Sequence, residues 1–317
     1  MALNTTSTTD TSRGTSNIAS SADSLVGNLK RINLISGKGG VGRTTLAATL
    51  AKASAKQGKK TLLAELEDDS GWDSPLARYF GRKHFQVEPH EVSQNLDAVC
   101  LSATVGQEKF LHGFLKLNSL THLVMGNQGV KWFLEGAPAF KEMGYFYHLL
   151  QQLKNTKYDC IILDLPATGH LIGLARLPNV LLKMMPIGAI AEKLKEGQSY
   201  FYDKKQTAAW VITLPQALPV SEAIELKESL EKEKIPVGGY VLNRAPFNPF
   251  TPEEETILAS MSMKSKTHKL MIDLERIRRL REAEKRLSDS DQVWVAPETD
   301  NPFEEESFGF RVQKLTS

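Results

Sequence analysis

A doubly wound α/β fold, its mostly parallel sheet flanked by helices, is what this sequence predicts, and three observations carry the prediction. The apolar run Ile32-Asn33-Leu34-Ile35 leads straight into a glycine-dense turn, and a helix opens at Thr44. Strand-like runs then alternate with helical stretches along most of the chain, as in sheets whose strands are joined by crossover helices. One run, Cys160-Ile161-Ile162-Leu163, is continuously apolar rather than alternating, the mark of a strand covered on both faces.

The elements follow in order. A strand is predicted over residues 31–35 and a helix over 44–57, with Gly58 where a helix often ends in a left-handed residue. Lys59-Lys60 leads into a strand over 61–66, completing a βαβ unit with a parallel pair and a right-handed crossover. Further strands are expected over 98–101, 160–163, 210–213, 239–242 and 293–296, with helices over 140–153 and 221–232 between them. A helical elaboration is expected around 105–150 and 171–205. Residues 267–287 set Leu274, Ile277 and Leu280 among many charges, the pattern of a solvated amphipathic helix. Residues 1–27, rich in Ser, Thr, Asn and Asp, read as a disordered tail, and 301–317 as a C-terminal tail. One domain over 28–300 fits the length.

Composition narrows the classes. Lys plus Arg number 39 against 37 Asp plus Glu, which gives no case for a nucleic-acid partner. The two cysteines, Cys100 and Cys160, lie in apolar runs and read as buried thiols in a reducing compartment. No C-x-x-C occurs, so a zinc clasp of that type is excluded. No apolar run approaches the ~20 residues that span a bilayer, and the N-terminus lacks the apolar core of a signal peptide. A cytoplasmic protein with no integral membrane segment is expected.

Gly37, Gly39, Gly40 and Gly42 put four glycines in six residues, so successive backbone N–H groups can curl toward one spot. The helix behind them adds its positive N-terminal end there. That is a polyphosphate cradle. The string fits the P-loop pattern G-x-x-x-x-G-K-[ST] with one departure: Arg43 stands where lysine is usual, and Thr44 supplies the metal-binding hydroxyl. Arginine is still a cation with several donors, though bulkier and fork-shaped. Lys38, Val41 and Thr45 complete the cradle. A second constellation is Tyr158-Asp159-Cys160-Ile161-Ile162-Leu163-Asp164, a strand tipped by a carboxylate able to hold Mg²⁺ directly or through water. Pro166-Ala167-Thr168-Gly169-His170 follows almost at once.

The stretch from Ser36 to Thr45 resembles the deviant P-loop of the arsenite-pump, tail-anchored-protein-targeting, Min and partition ATPases. Asp164 through His170, with Leu177-Pro178 downstream, resembles switch II of the arsenite-pump and tail-anchored-protein-targeting branch. The resemblance implies a homodimeric Mg²⁺-dependent ATPase cycling between ATP and ADP. It implies that Lys38 reaches the partner's nucleotide and that Thr44 and Asp164 serve the metal. It further implies that Gly169 meets the γ-phosphate, that Glu67 or Asp68 orients the attacking water, that Asn243 reads the adenine edge, and that Pro297 belongs to a loop walling the base. Plainer readings stand beside these. His170 reads equally as a helix cap, the acids after strand two as an acidic turn, Asn243 as a polar residue closing a strand, and 293–297 as an ordinary last strand.

Two cysteines and a single P-loop argue against a metalloid pump. The apolar residues Leu181, Leu182, Met184, Met185, Ile187 and Ile190 within 171–194 can form a greasy groove for a client with a hydrophobic segment, or simply core. Two functions remain open. One is an ATP hydrolase whose dimer switch moves a protein client. The other is a nucleotide-gated positioning module with slow or vestigial hydrolysis.

Overall fold

The computed structural model of the protein describes residues 24–67, 73–117, 138–165, 168–184, 188–248, 250–262, 268–289, 291–305 and 308–315. Its strands are β1 (Ile32–Gly37), β2 (Thr61–Leu66), β3 (His90–Ser93), β4 (Leu96–Leu101), β5 (Cys160–Asp164), β6 (Thr207–Thr213), β7 (Val237–Ala245), β8 (Val293–Pro297) and β9 (Gln313–Lys314). They form one sheet in the order β3-β4-β2-β5-β1-β6-β7-β8-β9. The seven inner strands are parallel, and β3 and β9 are antiparallel edges.

The helices are α1 (Leu25–Asn28), α2 (Arg43–Lys56), α3 (Pro75–Arg78), α4 (Ala103–Leu117), α5 (Pro138–Lys154), α6 (Thr168–Met184), α7 (Ala189–Tyr202), α8 (Ala217–Lys232), α9 (Pro252–Ser262) and α10 (His268–Ser288). Alternate residues of the inner strands feed two cores. Leu34, Ile161 and Leu163 face one with α5, α6, α7 and α8, while Ile35 and Ile162 face the other with α2. Continuous apolar strands are thus buried on both faces, as their sequence predicts.

The expected strands and helices are present, most of them extended by a few residues. The sheet's two antiparallel edges and α1, α3 and α9 are additions, while α4 lies in the elaboration expected around 105–150. Both tail boundaries need correction. Leu25 and Val26 are fully buried in α1, whose Leu25 N–H donates to the Val312 carbonyl at 2.7 Å. Residues 24–27 therefore belong to the ordered domain, while residues 1–23 lie outside the described residues. At the other end Phe308 and Val312 are buried and β9 pairs with β8, because these apolar residues cover the exposed face of α2 and the sheet edge.

The elaboration over α4 to α7 is packed onto the sheet. Leu171, Leu174, Leu177, Leu181 and Leu194 are all buried, so of the described stripe residues Leu181 is core, while Leu182 is half-buried and lines a cleft with Val180 and Lys183. Met185 and Ile187 lie outside the described residues, as do the side chains of Met184 and Ile190. Helices α4 and α5 cross backbone to backbone: a Cβ on Gly106 would lie 1.8 Å from the Gly144 carbonyl oxygen.

Candidate functional site

The site lies beyond the carboxyl ends of β1, β2 and β5, where ligands bind in doubly wound sheets. The P-loop begins inside β1. A Cβ on Gly37 would lie 2.4 Å from the Ile212 carbonyl oxygen, so only glycine lets β1 pass β6 that closely. Gly40 and Gly42 hold φ of 81° and 91°, the left-handed region that favours glycine. A Cβ on Gly39 or Gly40 would meet no atom within 4 Å, which leaves the mouth of the loop open. Gly42 caps α2 without a side-chain acceptor, so the first-turn N–H groups are directed along the helix axis toward that mouth.

Asn243 and Val41 fix the far wall. The Asn243 Nδ2 donates to the Val41 carbonyl at 2.8 Å, and a Cβ on Gly42 would sit 2.3 Å from that nitrogen. Asn243 therefore braces the P-loop. It does not close its strand, since β7 runs on to Ala245. Asn243 also lines a cleft of about 430 Å³ with Gly42, Thr45, Tyr79 and Pro297. Tyr79 shares a 2.7 Å hydrogen bond with the Thr45 hydroxyl, and its ring centroid lies 4.8 Å from that of Phe303.

Asp164 ends β5 and is 8% exposed. Burial raises its pKa, while the nearby Thr44 hydroxyl and the charge of Arg43 work against that rise. The Thr44 hydroxyl and Asp164 carboxylate, hard oxygen donors near one another, fit a hard divalent cation such as Mg²⁺. Arg43, lowered by burial and supported by Asp164, donates through Nη1 to the Leu165 carbonyl. The cation in the usual lysine position thus clasps the start of the switch II segment. Of that segment, Pro166 and Ala167 lie outside the described residues, Gly169 falls in the first turn of α6, and the His170 side chain is not among those described.

Lys38 is 58% exposed, and its Nζ lies 2.9 Å from a Glu222 carboxylate oxygen on α8. Glu67 is exposed just past β2; its N–H donates to the Leu101 carbonyl at 2.9 Å, and its own carbonyl accepts from the Tyr145 hydroxyl at 2.9 Å. Asp68, the alternative, lies outside the described residues.

One carboxylate here has no expected role. Glu65 pairs in register with Asp164 across β2 and β5. Burial pushes its pKa up to about 7; a hydrogen bond from Ser74 opposes this and the neighbouring Asp164 charge adds to it. An acid inside an otherwise apolar strand, Thr61 to Leu66, is the signal that pointed to it. Ser74, Tyr79 and Tyr145 carry no such signal.

A strand, a glycine loop, a helix without a side-chain cap and a buried carboxylate at the tip of the neighbouring strand define a P-loop nucleotide-binding domain. Within that class the chain belongs to the anion-transporting ATPase family, whose profile matches residues 30–196, more than half of its length. It is 28% identical over 227 residues to ATPase BagA of Mycobacterium tuberculosis, an alignment covering 68% of this chain and 65% of that protein. It is 25% identical over 282 residues to ATPase ASNA1 homolog 1 of Paramecium tetraurelia, covering 76% and 82%. The ATPase ASNA1 homolog of Plasmodium yoelii yoelii matches at 25% over 251 residues, covering 69% and 63%. The chain thus spans about two thirds of the length of its mycobacterial relative. No helix among the described residues is long and apolar enough to cross a membrane.

Proposed function

We propose that the protein is a Mg²⁺-dependent ATPase of the cytoplasm that uses an ATP-driven homodimer switch to bind, target or position a protein client. The observation that carries the reading is the open glycine cradle that leads into α2, with the buried Asp164 carboxylate at the tip of the neighbouring strand β5 beside Thr44 and Arg43. Thr44 and Asp164 are the two groups that would hold the metal beside the phosphate site. Bound Mg²⁺ supplies charge neutralisation on the phosphates. Gly39, Gly40 and the first-turn amides of α2 receive the phosphates, Arg43 tethers switch II, Asn243 reads the adenine edge, and Pro297 walls the base. Glu67 orients the attacking water, and Gly169 responds to the γ-phosphate. Lys38, largely exposed and held by one surface ion pair, is free to exchange Glu222 for a partner's nucleotide. The client follows from the resemblance of switch II to that of tail-anchored-protein carriers.

Calorimetry tests the nucleotide site. Thr44→Ala weakens ATP binding in the presence of Mg²⁺ and not with chelator; equal affinity in both conditions would falsify the metal placement. The positioning-module reading survives on Arg43, which stands where lysine is usual. Steady-state phosphate release decides between the two, with Arg43→Lys beside the native chain. Turnover only in Arg43→Lys favours the module.

A further inference from the structure

We infer that Glu65 and Tyr145 are positioning residues for ATP hydrolysis, each staking one end of the connection between β2 and α3. The inference rests on the proposal that Glu67 orients the water.

Tyr145 holds the near end. It projects from α5, is 4% exposed, and donates its hydroxyl to the Glu67 carbonyl at 2.9 Å. The Glu67 N–H is already held by the Leu101 carbonyl at 2.9 Å. Both backbone polar groups of Glu67 are therefore fixed, one by the sheet and one by a helix, while its side chain stays exposed. A carboxylate that orients water needs this: a fixed root and a solvent-facing tip.

Glu65 holds the far end. Its Oε2 accepts from the Ser74 hydroxyl at 2.5 Å. The same hydroxyl accepts from the Ala77 N–H at 2.9 Å and so caps α3. Tyr79, immediately after α3, then meets Thr45 at the start of α2. The contacts run from Glu65 through Ser74 and α3 to the helix that carries the P-loop hydroxyl. Neither residue touches the phosphate cradle; each acts through another.

The experiment uses the full chain with Mg²⁺ and ATP and reads kcat, KM and melting temperature for four variants. Tyr145→Phe keeps the ring and removes one hydroxyl. It lowers kcat about fivefold, the equivalent of roughly 1 kcal/mol in the barrier, with KM for ATP moved less than twofold. Glu65→Ala lowers kcat to a similar degree, and Glu65→Gln, which keeps an oxygen acceptor for Ser74, recovers it to within about twofold. Melting temperature alone shifting in Tyr145→Phe and Glu65→Ala, with kcat native, overturns the positioning roles. Glu65→Gln as slow as Glu65→Ala overturns the role of Glu65 through Ser74. Glu67→Gln is run beside them. A native rate there overturns the reading of Glu67 itself, whereas a slowed Glu67→Gln beside a native Tyr145→Phe overturns the positioning alone.

Discussion

Asp97 and Glu65 sit on adjacent strands of one sheet, both shielded from water, and the sheet treats them in opposite ways. Asp97 lies at the entry end of β4. Burial pushes its carboxyl up, but hydrogen bonds from Lys60, Lys157 and Tyr158 overcome this and bring it down to about 2. Glu65 lies at the exit end of β2, where one serine hydroxyl cannot offset burial and the nearby Asp164 charge, and it rises to about 7. Asp97 is satisfied three times over, at the opposite end of the sheet from the glycine loop. The exit end sets Glu65 and Asp164 in register on neighbouring strands, with the charge of Arg43 opposing the rise of Asp164 alone. A cation bound at that end would lower both acids, since a metal inverts the electrostatics of the acids around it.

The sharpest way to break the comparison is to mutate each end and read both stability and turnover. At the exit end Asp164→Asn or Glu67→Gln lowers phosphate release by roughly a hundredfold or more. Neither lowers the melting temperature of the nucleotide-free protein, because Asp164 is buried with its pKa raised and Glu67 is exposed. At the entry end Asp97→Asn costs roughly 2 kcal/mol in chemical denaturation, the scale of hydrogen bonds to a buried charge, and leaves the kcat of the folded enzyme unchanged. A stability loss at Asp164 as large as that at Asp97 would erase the distinction.

The pH dependence has opposite sign at the two ends. Asp97 titrates at about 2 folded against an ordinary value of 3.8, so the unfolded chain binds the extra proton in between. Its contribution is complete above about pH 4 and disappears as pH falls toward 2. Glu65 titrates at about 7 folded against 4.5, so the folded chain holds the extra proton. Its contribution is complete below pH 4.5 and disappears as pH rises through about 7. Denaturation of the metal-free protein across pH 4 to 8 therefore shows a decline that Glu65→Gln flattens and Asp97→Asn does not.

The smallest effect belongs to Lys38. Glu222→Gln removes a surface ion pair worth about 0.2–1 kcal/mol. It lowers the ATP concentration for half-maximal dimerisation by up to about fivefold in analytical ultracentrifugation. An unchanged midpoint would mean that the Glu222 contact does not restrain Lys38.

The entry-end and exit-end features were not equally legible. β1, the glycine turn and α2 announce themselves because left-handed residues and close backbone contacts leave room only for glycine, and Gly37 and Gly42 are such positions. Asp164 is legible because a charge ending a continuous apolar run is rare. The antiparallel edges are not: β3 is His90-Glu91-Val92-Ser93, with no apolar run, and β9 has two residues. Short buried pieces such as α1 are hidden inside polar sequence, where Leu25 and Val26 alone mark them. Asn243 was legible as a site residue, but its amide's grip on Val41 depends on β7 running beside the P-loop, a fact of topology rather than local pattern. Tyr145 and Ser74 are ordinary residues in their own segments. Only the folded chain places the tyrosine, 78 positions away, against Glu67.

The crossing of Gly106 and Gly144 acts as a gauge for that tyrosine. Tyr145 follows Gly144 directly, so the depth to which α5 sinks against α4 fixes how far the hydroxyl reaches. A single methyl group at either glycine is a shim about 1.5 Å thick. An O–H···O bond tolerates a spread of only about 0.5 Å. Two missing side chains on helices outside the nucleotide site thereby calibrate a contact at its edge.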